Sequence, residues 1–393
     1  MAHKILMLGG FRAGKSSILA SILSSVKGVN KGIFSIVDKT DYTDAAGAPV
    51  TLDHKTMEVK NYIKNRDKVH GEDELFLVDM TRTLGKSTYT LTTRIDGAAG
   101  VNFDFVDVPG EWMETTQKAH NDLKEAIAEC DVFVIAIDTP YMMQEDNDLN
   151  KVYNRIEEIT TALDDIADDI DMEYLECQKK MIIFCPVKCE KWVRAGEADK
   201  VSQKVRSSYR ELINKFCNNR GVDMWIMPIQ TVGAIEFAEM NDAYLYFPTS
   251  AEKAGIRCSC HKETGVVHLF DGKVVHDATE DQLAKDKSYD GVRDGFEIPW
   301  AWYKRNGVSE YEPVDCEQPA YHILRFLVKK EIAVTQAKVD KIKNASLWER
   351  FFDWLFHYNP PFGEYLVQYR KVVDSLVVKE NGDGFMEIRE RVE

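Results

Sequence analysis

The sequence predicts a three-layer α/β fold, a mostly parallel sheet with one antiparallel edge strand held between helices. Three observations predict it. First, the apolar run Ile5-Leu6-Met7-Leu8 meets the turn Gly9-Gly10-Phe11-Arg12-Ala13-Gly14-Lys15-Ser16, which leads into a helical pattern from Ser17 to Leu23. That is G-x-x-x-x-G-K-[ST] between strand and helix, the setting a phosphate-binding (Walker A) loop requires. Second, short apolar runs alternate with helical stretches, as buried parallel strands and their crossover helices do. Third, two strand-like segments lie so close in sequence that they can pair only antiparallel.

In the phosphate loop, backbone N–H groups turn inward to hold phosphate oxygens, and the following helix presents its positive end to them. Gly9 to Ser17 form that cradle. Lys15 is placed to reach the β- and γ-phosphates, and the Ser16 hydroxyl to ligate Mg²⁺. The helix is expected to run from Lys15 to Lys27 and stop near Gly28. Residues 29–50 are turn-rich and read as an irregular connection. A helical stretch from Leu52 to Val69 follows, with Met57, Val59, Tyr62 and Ile63 on its buried side.

Ser87–Ile95 is rich in Thr and β-branched residues and suits an edge strand. Asp96-Gly97 and Gly100 turn the chain into Val101–Val106. That strand ends in Asp107-Val108-Pro109-Gly110-Glu111. An acid at the carboxyl end of such a strand is where phosphate-loop enzymes hold Mg²⁺, and Gly110 leaves its N–H open to a γ-phosphate.

A helix over 112–129 leads to the buried strand Asp131–Asp138. One acidic helical stretch covers Leu149–Gln178, its run Asp164–Asp169 reading as a solvated face. Met181–Cys185 is another buried strand. A helix around 199–218 and the strand Met224–Ile229 close the alternating series. From 231 to 318 the regularity fails, and this stretch reads as an insertion on the sheet's edge or rim. Within it, Gly265–Val275 reads as a hairpin with a tight Asp271-Gly272 turn. Pro319 opens a helix to Lys338, and the aromatic run Leu347–Tyr358 is expected to pack on the main domain. The resulting division is 1–235 for the phosphate-loop domain (with a helical insertion near 30–80), 236–318 for the insertion, 319–345 for the last helix of the phosphate-loop domain and 346–393 for a helical C-terminal extension.

Composition narrows the class. The formal net charge of -15, from 65 acidic and 50 basic residues, argues against a nucleic-acid-binding surface, which requires clustered Lys and Arg. No apolar run is long enough to span a bilayer. Met1-Ala2-His3-Lys4 leads straight into the first strand and leaves no room for a signal peptide. The eight cysteines are scattered, as reduced thiols in a cytoplasmic protein are. Cys258-Ser259-Cys260-His261 carries metal-type residues but lacks the two-residue gap of common zinc knuckles, so unligated thiols are the expectation.

Phosphate loop, antiparallel neighbour strands, Asp-x-x-Gly and parallel strands beyond resemble the translation-factor-related (TRAFAC) class of P-loop GTPases, over residues 3–235 and the helix from Pro319. By layout the chain is most similar to the prokaryotic double-GTPase type associated with conflict systems. The resemblance implies GTP and GDP as ligands, Mg²⁺ as cofactor, γ-phosphate hydrolysis, and a nucleotide-state switch acting on a protein partner, for which a second GTPase is one candidate. It sets Val187-Lys188-Cys189-Glu190 at the base-recognition motif Asn/Thr-Lys-x-Asp, with Lys188 over the base and Glu190 on the guanine N–H groups. The missing Asn and longer acid keep ATP open as the substrate, and a surface Lys and Glu opening a helix is the plain alternative. The base loop falls near Thr231-Val232-Gly233-Ala234.

The switch threonine that closes over Mg²⁺ corresponds best to Thr83, with Thr81 and Thr88 as rivals. Glu111 stands where Ras-like enzymes place a water-orienting Gln. It either acts as a base with a raised pKa or is inert, the latter leaving a slow enzyme or a non-hydrolysing scaffold. Arg12 matches the loop position at which guanylate-binding proteins carry an inward-turning Arg; such a group is worth about 10³–10⁵ in rate, and the alternative is an Arg facing solvent.

Overall fold

Ile5–Leu8 has no polar face to offer water, so its strand must lie inside a sheet covered on both sides. The computed structural model describes the chain outside residues 1, 11–12, 27–33, 39–55, 58–59, 62–85, 114–116, 146, 169, 249–257, 262–265, 270–277, 280–291, 309, 345–361 and 393. In it, β1 (Ala2–Leu8) is central, and Ile5 to Leu8 are fully buried. It pairs in parallel with β4 (Asn102–Asp107) and with β5 (Val132–Asp138). β5 pairs in parallel with β6 (Lys180–Val187), and β6 with β7 (Val222–Ile226).

Alternate residues of these strands serve opposite cores, as a side-chain period of two requires. Leu6, Leu8, Phe133, Ile135 and Phe184 face one; Ile5, Met7, Val132, Val134 and Ile183 face the other. The first core is covered by α2 (Gln117–Ala128), α3 (Asn147–Asn154), α4 (Ile156–Ala162), α5 (Glu190–Arg194), α6 (Ala198–Ser208) and α7 (Arg210–Phe216). The second is covered by α1 (Lys15–Val26), α8 (Glu317–Asn344) and α9 (Phe362–Ser375). The molecule is mixed α/β, with a large, mostly parallel sheet between helical layers and a helical stretch toward its C-terminus.

Several expectations are corrected. Phe34–Asp38, inside the stretch read as irregular, forms strand β2, which pairs antiparallel with β3 (Ser87–Ile95). β3 is therefore not the edge strand; its Tyr89, Leu91 and Ile95 face the second core, and β2 takes the edge. The opposite edge is also antiparallel. β13 (Asn381–Gly382) and β14 (Phe385–Glu387) form a hairpin whose Met386 and Glu387 pair with Ile226 and Trp225 of β7. The C-terminal segment thus contributes strands as well as a helix, because the edge of β7 offers unpaired backbone groups.

The long acidic helix is broken at Arg155, which takes a left-handed φ of 50° between α3 and α4. Asn154 causes the break: its side chain accepts from Asp138 N–H (2.7 Å) and donates to Asp138 O (3.2 Å), pinning the helix end to β5. The helix expected around 199–218 breaks at Tyr209, fully buried between α6 and α7. Met57, expected inside, is 53% exposed, whereas Thr56 is buried and donates to Ala20 O at 3.1 Å. Val59, Tyr62 and Ile63 lie outside the described residues.

The insertion forms a separate antiparallel sheet on two long strands, β8 (Ile235–Pro248) and β12 (Val292–Arg305), joined by β9 (Cys258–His261), β10 (Val266–Leu269) and β11 (Ala278–Thr279). Val266 pairs with Thr279, a register wider than a two-residue Asp271-Gly272 turn would set, so the connection is longer than expected. The aromatic run 347–358 lies outside the described residues.

Candidate functional site

The glycine-rich loop Gly9–Ser16 begins where β1 ends, and its glycines stand where other chain segments leave no room. Gly9 has φ 143°, and a Cβ there would meet Ala136 O at 2.8 Å. Gly14 has φ 103°, and its Cβ would lie 2.8 Å from Val187 Cγ2. Gly10 sits under Tyr153 O, which a Cβ would approach to 2.1 Å. Ala13 N–H donates to Gly10 O at 3.2 Å, and Ile18 N–H to Gly14 O at 3.0 Å, so the helical ladder starts directly from the loop. Lys15, the first residue of α1, is buried, and its Nζ donates to Gly9 O (3.0 Å) and Gly10 O (3.4 Å). Its ammonium thus lies over the loop. Ser17 follows, half-buried in the first helical turn. Phe11 and Arg12 lie outside the described residues.

Beside the loop stands the carboxyl end of β4. Parallel register sets Asp107 level with Met7, and Asp107 is fully buried. Ser16 Oγ donates to Asp107 Oδ2 at 3.3 Å across 91 residues of sequence. A hydroxyl and a carboxylate so placed are two oxygen donors, the kind a hard divalent cation takes. Gly110 is buried and opens a 3₁₀ turn, Gly110–Met113, in which Trp112 N–H donates to Pro109 O at 3.0 Å. The side chain of Glu111 and the whole of Thr83 and Thr81 lie outside the described residues. Thr88, the remaining rival for the switch, is in β3 opposite Val106.

At the end of β6 the base-motif positions are not the surface pair of the plain alternative. Lys188 takes a left-handed φ of 56° and its ammonium pairs with Asp138, at the end of β5. Burial pushes the Asp138 carboxyl up while Lys188 pulls it back. Glu190 does open α5, but it is only 2% exposed. Its Oε1 accepts from Val232 and Gly233 N–H, each at 3.4 Å, and burial pushes its pKa up to about 7 against those bonds. Thr231 to Ala234 are buried beside it.

The structure brings Lys15, Ser16 and Asp107 together, and it joins Lys188 and Glu190 to partners that sequence reasoning missed. Asp138 had a signal, an acid ending an apolar strand as Asp107 does. Asn154 and Arg155 had none, since a helical pattern runs unbroken through them. Asn306, which donates to Gly233 O at 2.6 Å, was hidden in an insertion without periodicity. Cys258, Cys260 and His261 fall in β9, with side chains outside the described residues; among those described, no group of three metal-type side chains gathers.

No protein-family model matches the chain, and neither does any curated protein. Among solved structures it is similar to the GTP-bound GTPase-like domain of S. cerevisiae Ski7, at 11% identity and a TM-score of 0.33, over 78% of this chain and 71% of that one. No helix among the described residues is long and apolar enough to cross a membrane.

Proposed function

We propose that this chain binds and hydrolyses GTP with Mg²⁺ and serves as a nucleotide-state switch for a protein partner, in the manner of TRAFAC-class GTPases. The observation that supports this best is the convergence at the loop. Three glycines let the loop pack against Ala136, Tyr153 and Val187, Lys15 lies over that backbone, and Ser16 Oγ is 3.3 Å from Asp107. Ser16 and Asp107, with Thr83 as a further ligand, are the residues that would hold Mg²⁺, which when bound neutralises charge on the phosphate oxygens.

The loop N–H groups and the amino end of α1 take the phosphates, and Lys15 exchanges its carbonyl bonds for the β,γ-oxygens. Gly110 offers its N–H to the γ-phosphate. Arg12 supplies positive charge as the bond to the γ-phosphate breaks, and Glu111 acts as the base toward the attacking water. A partner, a second such GTPase being one candidate, reads the segments around Thr83 and Gly110.

Lys15→Ala is expected to abolish GTP binding, measured by titration of a fluorescent GTP analogue into the full chain. Unchanged affinity would sink the site. One observation favours a second reading, ATP as substrate. The Glu190 carboxylate is buried and accepts from the base loop, and guanine needs that carboxylate for its own N–H groups. Competition between GTP and ATP separates the two, and Glu190→Ala equalises them if GTP is the substrate.

A further inference from the structure

Both roots of the insertion end on one short loop. Residues 231–234 follow β7 and feed β8 directly, while the chain beyond β12 doubles back along them. Asn306 Nδ2 donates to Gly233 O at 2.6 Å, and its backbone N–H to Ala234 O at 3.3 Å. Farther on, Glu312 N–H donates to Val232 O at 3.2 Å. Gln230 and Val314 exchange backbone bonds of 3.1 and 3.0 Å. Gly233 has φ 77°, and a Cβ on it would come within 1.9 Å of Glu312 O, so the return segment lies directly against the loop.

The opposite side is equally tied. Glu190 takes the N–H groups of Val232 and Gly233. From the same helix, Trp192 stacks on Phe237 of β8 with centroids 5.4 Å apart, and Arg194 donates to Asn306 O at 3.1 Å. The loop's carbonyls are therefore held by the insertion and its N–H groups by α5.

This loop stands at the carboxyl end of β7, beyond that of β6, whose Val187 abuts Gly14 of the phosphate loop. Ligands of open α/β sheets sit outside the carboxyl ends of the strands. A nucleotide with its phosphates on Gly9–Ser16 then directs its base toward 188–190 and 231–233. We infer that the insertion's return segment is the outer wall of the base site, with Asn306 as the positioning residue that holds loop 231–234 in shape to meet the base. The inference rests on the nucleotide reading above and adds to it what the insertion does.

The test compares GTP and ATP, each competing with a fluorescent nucleotide analogue on the full chain with Mg²⁺, for wild type, Asn306→Ala and Asn306→Asp. The Asp variant keeps the Oδ1 that accepts from Val308 N–H at 3.1 Å and sets a carboxylate oxygen in place of the donor to Gly233 O, so it breaks that bond while retaining the other where Ala removes both. A shared result is expected: the preference for one purine falls about tenfold, the cost of one buried hydrogen bond, and the affinity of the disfavoured purine changes by less than about twofold. An unchanged preference, a parallel loss of both ligands, or a wild type without preference overturns the inference while leaving phosphate binding intact. A wild type that binds neither nucleotide removes the nucleotide reading itself, and this inference with it.

Discussion

Gly9, Gly10 and Gly14 owe their identity to segments remote in sequence: Ala136 on β5, Tyr153 on α3 and Val187 on β6. Gly10 is the most confined of the three, since a Cβ there would come within 2.1 Å of the Tyr153 backbone carbonyl, which cannot rotate away. Gly10→Ala is expected to cost about 1–3 kcal/mol of stability, as overpacking does, and to weaken nucleotide binding by displacing the loop. Thermal melting and nucleotide titration of the variant check both, and an unaltered melting temperature would show that α3 yields. At this scale the motif residues were legible because their spacing encodes a local shape. Their partners were not, because Tyr153 and Val187 reach them only through the fold.

Elements are joined at the other end of the sheet by a charged clasp. His3 of β1 bonds Asp131 at 2.9 Å and Glu331 of α8 at 3.1 Å, while Lys330 bonds Asp131 at 2.8 Å and Lys180 lies 3.6 Å from it. Burial pulls the imidazole pKa down, but the two carboxylate hydrogen bonds outweigh it and the net shift is upward from 6.5. A raised histidine contributes stability that is fully present below its unfolded pKa and lost as pH rises through the folded value. Urea denaturation from pH 6 upward should therefore show stability declining in wild type, and this part of the decline should vanish in His3→Gln. The same slope in both would refute the clasp. Helix boundaries were less legible than helix existence: Leu149–Gln178 has an unbroken helical pattern, yet the bonds from Asn154 to Asp138 override it at Arg155.

For the whole molecule, the decisive additions lie at the sheet's two edges. β2 covers one, and the hairpin β13–β14 covers the other, burying Phe385 and Ile388 beside β7. Removing residues 380–393 should cost about 3–6 kcal/mol, two buried apolar side chains at about 1.5–3 kcal/mol each, and leave an exposed edge prone to association. Chemical denaturation and size-exclusion chromatography would detect these effects, and a monomer of unchanged stability would contradict them. By itself the sequence determined the parallel centre of the sheet, the glycine-rich turn from β1 into α1 and the acid beside it, because apolar period and motif spacing are local and strongly patterned. Only the tertiary structure decided how the sheet ends, where the acidic helix breaks, and that Glu190 turns inward to a loop tied to the insertion. Those outcomes depend on which unpaired backbone groups and buried polar atoms meet in space, and neighbouring residues along the chain carry no record of that.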